Sequence, residues 1–74
     1  MANPLQERYA EVLLERIRGD MYPSTTHMNM LEAVASDRML AVYLLHLMER
    51  IEEEQNPSIP MMRRIERLIG HFGT

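Results

Sequence analysis

Cysteine, lysine and tryptophan are all missing from this chain of 74 residues, and phenylalanine occurs once. Without cysteine, neither a disulfide nor a thiolate zinc site can staple the fold. Without lysine, all eight basic side chains are Arg, set against eleven acids for a net charge of -3. That balance argues against general attraction to nucleic acid, although a local patch can override it. No run reaches the roughly 18 consecutive apolar residues of a membrane span. Met1-Ala2-Asn3-Pro4 also lacks the basic and apolar segments of a secretory leader. A cytoplasmic protein that does not engage the membrane is therefore expected.

Glycine-rich phosphate loops are absent too, and with no thiol a nucleophile would have to be a serine. Ser24, Ser36 and Ser58 all stand where helix N-caps are expected. The histidines are His27, His46 and His71, and none follows a Glu at the Glu-x-x-His spacing of a carboxylate-bridged di-metal bundle. His46 and Glu49 alone, at i and i+3, make at most half a site. No catalytic residue, metal or cofactor is expected.

What is present is helical patterning. Apolar residues are 46% of the chain and charged ones 26%, a globular composition. Residues 4 to 18 place Leu5, Tyr9, Val12, Leu13 and Ile17 at helical spacing, with Pro4 opening the segment and Gly19 and Pro23 closing it. Ser24 predicts a second helix to about Ala35, with Met28, Leu31 and Val34 or Ala35 facing inward. A third, from about 37 to 54, is apolar nearly all round. Its main stripe is Met39, Leu40, Tyr43, Leu44, Leu47, Met48 and Ile51, while Ala41, Val42 and Leu45 lie opposite. Asn56-Pro57 breaks the chain, and Ser58 opens a fourth helix carrying Met62, Ile65, Leu68, Ile69 and Phe72, with Gly70 or Gly73 at its end. No segment alternates with the period of two that a strand requires.

The chain also repeats itself at an offset of 34 residues. Leu13–Val34 aligns with Leu47–Leu68 without a gap, and eight of 22 positions are identical. They include Arg16/Arg50, Ile17/Ile51, Pro23/Pro57, Ser24/Ser58, Met28/Met62 and Glu32/Glu66, with Tyr9/Tyr43 upstream. Average composition would give about one or two by chance. The expected fold is one all-α domain over residues 1–74, a duplicated helix–loop–helix with units at about 5–35 and 39–72 and pseudo-two-fold packing. Neither the tetratricopeptide signature nor the alternating oxygen ligands of an EF-hand loop is present. The repeated Arg16/Arg50 and Glu32/Glu66 predict Arg–Glu pairs that fix the register of the hairpins.

Two surfaces follow. Eight methionines are many for 74 residues, and Met suits adaptable partner surfaces as well as irregular cores. Four short helices cannot bury Met30, Met39, Val42, Leu45 and Met61 together with the main stripes, so these predict a protein interface, most simply with a second copy. A core this small points the same way. Arg63, Arg67 and His71 fall at i, i+4 and i+8, with Arg64 alongside, and suggest a recognition helix in a dimeric DNA-binding regulator as the alternative. The leading expectation is a non-enzymatic adaptor that forms a homodimer through the third helix and binds another protein.

Overall fold

The computed structural model describes residues 3–73, which form four α-helices and no strand. They are α1 (Pro4–Gly19), α2 (Thr25–Val34), α3 (Asp37–Glu53) and α4 (Ile59–Phe72). Among the described residues no helix is long and apolar enough to cross a membrane.

Each helix begins on a side-chain oxygen that accepts one of the N–H groups its first turn leaves without a carbonyl. Asn3 Oδ1 accepts from Leu5 N at 2.9 Å. Ser24 Oγ accepts from His27 N at 3.3 Å, Ser36 Oγ from Met39 N at 3.2 Å and Ser58 Oγ from Met61 N at 3.2 Å. Pro4 and Pro60 occupy first-turn positions, where a missing N–H costs nothing. All three serine caps stand where the sequence places them. Gly19 does not end α1 by the left-handed route expected of a terminal glycine, because no glycine has positive φ. The chain leaves instead through an extended Asp20, whose N–H reaches Ile17 O at 3.3 Å. Pro23 then holds Tyr22 away from the helical region. At the other end of the chain, α4 continues through Gly70, and Gly73 caps it.

The chain divides into two compact units, Met1–Ala41 and Val42–Thr74. In the first, α1 packs on α2. Gln6 Nε2 at the start of α1 donates to Val34 O at the end of α2, at 3.4 Å. The two helices are therefore antiparallel, and a side chain of one meets a terminal carbonyl of the other. Ala10, Leu13, Leu14 and Ile17 of α1 are buried, as are Met28 and Leu31 of α2 and Leu40. This differs from the expected α1 stripe: Leu5, Tyr9 and Val12 are exposed. The core face is centred on Ala10 and Ile17, both fully buried.

The second unit holds the remainder of α3 and all of α4. Tyr43, Leu44, Leu47 and Ile65 are its buried side chains, with Met48, Ile51, Met61, Met62 and Leu68 half-buried. The predicted α4 stripe is thus only partly covered, since Ile69 and Phe72 are exposed.

Candidate protein-interaction surface

Helix α3 carries its core and its exposed apolar residues on opposite sides. At 100° per residue, Leu40, Tyr43, Leu44 and Leu47 fall within an arc of about 100°, and all four are buried. Arg38, Val42, Leu45 and Glu49 fall within about 60°, centred on the opposite side, and all four are exposed. Leu45 is 61% exposed and Val42 44%. Two branched aliphatic side chains one turn apart form an apolar strip facing water, with a basic residue before it and an acidic one after it. Burying one such side chain from full exposure is worth about 1.5–3 kcal/mol, and about half of that is still to be gained at Val42 and Leu45.

The other predicted interface residues are placed differently. Met30, on α2, is exposed. Met39 and Met61 are half-buried, so each is already partly covered by its own chain. Flexible methionines fill irregular gaps, and sequence spacing alone does not separate that use from an outward one. Leu5, Tyr9 and Val12 on α1 and Ile69 and Phe72 on α4, which helical spacing places inward, are exposed.

On α4, Arg63, Arg67 and His71 are exposed and Arg64 is half-buried. The His71 ring meets Phe72 edge to face, with centroids 5.1 Å apart. Arg63, Arg67 and His71 therefore form an exposed basic row, while Arg64 turns partly into the unit.

The four residues of the expected Arg–Glu pairs are not buried alike in the two halves. Arg16 and Glu66 are exposed, whereas their repeat equivalents Arg50 and Glu32 are half-buried. On α1, Arg8 Nη1 lies 3.1 Å from Glu11 Oε2, one turn along the helix and open to solvent.

Among the described residues no three His, Asp or Glu side chains gather in a way that could hold a metal ion. Ser24, Ser36 and Ser58 accept backbone N–H groups, as described above. His27 Nδ1 is buried without a hydrogen-bond partner among the described residues. A depression of about 390 Å³ at the end of α1 is lined by Val12, Glu15, Arg16, Gly19 and Asp20, a mixed-charge lining on a single stretch of chain. Comparison with protein-family models, curated proteins and solved structures returns no match.

Proposed function

We propose that this chain is a small, non-enzymatic cytoplasmic interaction protein that forms a homodimer through α3 and acts as an adaptor for another protein. The observation that carries the reading is the pair Val42 and Leu45, exposed on the side of α3 directly opposite its buried face. A short chain without disulfides gains stability by covering such a strip with a second copy. Other exposed apolar residues, among them Met30 on α2 and, separately, Ile69 and Phe72 on α4, offer surface for a different protein.

We also read the chain as a duplicated helix–loop–helix. Both α1 and α3 end, and both α2 and α4 begin, at positions 34 residues apart (Gly19 and Glu53, Thr25 and Ile59). This supports a common ancestry of the two halves beyond the eight shared identities.

A tagged chain recovered from its native host, with and without nuclease, tests the adaptor role. Stoichiometric recovery of a protein partner that survives nuclease is expected, and recovery of the bait alone overturns it. The alternative of a dimeric DNA-binding regulator is favoured by one observation, the exposed row Arg63, Arg67 and His71. It requires a mobility shift with duplex DNA that weakens steeply with salt.

A further inference from the structure

We propose that α3 packs antiparallel against α3 of a second copy about a two-fold axis level with the midpoint of Val42 and Leu45, so that Arg38 of each copy pairs with Glu49 of the other. This rests on the homodimer reading above and adds to it an orientation, a register and the residues that select them.

The first argument is symmetry. An isologous contact sets each residue against the one equally far from the axis on the other side. Arg38 and Glu49 are each about 8 Å along the helix from the midpoint between Val42 and Leu45, at a rise of 1.5 Å per residue. The same operation that places Val42 against Leu45 therefore places Arg38 against Glu49, twice per dimer. The positions 38, 42, 45, 49 and 52 also step by four and three in turn, the spacing of a coiled-coil seam. Because α3 is one continuous helix from Asp37 to Glu53, this face is a property of that helix alone.

The second argument is charge. A parallel pair in register would set Arg38 on Arg38, Glu49 on Glu49 and Glu52 on Glu52, all repulsive. The antiparallel pair replaces those repulsions with attractions and opposes the two helix dipoles. It also brings the acidic end of α3, Glu52 and Glu53, alongside the N-terminal end of the other α3, where the dipole is positive. Asp37, the acid next to Arg38, is turned 100° away around the helix and lies off the seam. Among the described residues, Arg38 and Glu49 form no ion pair within their own chain.

The third argument comes from inside the chain. Thirty-four residues before Val42 and Leu45 stand Arg8 and Glu11, which hold an exposed ion pair at 3.1 Å on α1. On α1 this pair of positions is charged and exposed; on α3 the same pair is apolar, with Arg38 before it and Glu49 after it. That contrast marks the α3 face as the one covered by protein.

Charge reversal tests the register. Sedimentation equilibrium is run on the full chain and on Arg38→Glu, Glu49→Arg, the double variant, and an equimolar mixture of the two single variants, with far-UV circular dichroism to verify the fold. Each single variant is expected to dimerise about tenfold more weakly, because two exposed pairs turn from attraction to repulsion. The double variant is expected to return to within about threefold of the parent, and the mixture to form heterodimers. A fifth variant, Leu45→Glu, removes the apolar centre whatever the register and is expected to be monomeric. If Leu45→Glu is monomeric but neither single reversal weakens the dimer, or the double variant fails to recover, the antiparallel register is overturned while dimerisation through α3 stands. If Leu45→Glu still forms a dimer, or the parent chain is a monomer throughout, the α3 homodimer itself is overturned, and the register with it.

Discussion

Arg8 Nη1 and Glu11 Oε2 lie 3.1 Å apart on the solvent side of α1, with 65% and 47% of their side chains exposed. Water screens a pair of this kind, and ordering two long side chains offsets much of its attraction. Glu11→Ala is therefore expected to change stability by less than about 0.5 kcal/mol in urea unfolding. A loss well above 1 kcal/mol would show that Glu11 supports the packing of α1 rather than decorating its surface.

The two tyrosines related by the 34-residue offset have opposite fates, and mutation should separate them. Tyr43 is fully buried, whereas Tyr9 is 42% exposed. Removing a large buried aromatic side chain costs about 3–5 kcal/mol. In a chain this short, Tyr43→Ala should abolish the cooperative thermal transition or lower its midpoint sharply. Tyr9→Ala should cost about 1 kcal/mol or less, as for most surface positions. Equal effects at the two sites would contradict the burial described for α1.

Gly70 lies in the last turn of α4 with negative φ, and a methyl group there would meet nothing within 4 Å. Alanine at such a position lowers the entropy of the unfolded chain and favours the helix, by about 0.4–1 kcal/mol. Gly70→Ala should thus raise the thermal midpoint by a few degrees. A decrease would mean that Gly70 is needed for close approach of another molecule, which sedimentation of the variant would reveal.

His27 Nδ1 is buried without a partner among the described residues, and the residue 34 positions on is Met61. An unsatisfied buried polar atom costs about 1–3 kcal/mol, and an apolar side chain of similar length removes that cost. His27→Met should stabilise the fold by about 1 kcal/mol. Because the cap at this site uses the backbone N–H of residue 27, Ser24 keeps its hydrogen bond in the variant.

Ser58→Ala should cost about 1 kcal/mol through loss of the Met61 N–H acceptor. Ser58→Asp, which can still accept that hydrogen bond and places a negative charge at the positive end of α4, should recover most of it. Failure of Asp to recover would assign the loss to something other than capping.

Helix limits were legible because proline and serine act locally: Pro23-Ser24 and Pro57-Ser58 stop one helix and start the next without reference to the rest of the chain. The inward face of α1 was legible only in part, at Leu13 and Ile17. Leu5, Tyr9 and Val12 form one helical row and Leu13, Leu14 and Ile17 another, and either satisfies a period of 3.6 residues. What distinguishes them is Ala10, a small residue with little hydrophobic signal that is fully buried. The repeat likewise predicted equal environments at equal positions, yet Tyr9 and Tyr43, and Arg16 and Arg50, differ in burial. Equal residues at a fixed offset do not have equal neighbours, and burial depends on the neighbours. On α3 the two-sided apolar pattern was readable in advance, and its outward part is the strip of Val42 and Leu45.

The caps of all four helices come from residues two or three positions away, and α1 reaches α2 through only five intervening residues. Most of the order in each unit can therefore be acquired before distant parts of the chain meet, the condition under which small helical proteins fold in microseconds to milliseconds. Newly made chains would spend little time with Leu45 and its neighbours exposed alongside an unformed core, and encounters between copies would take place between finished helices.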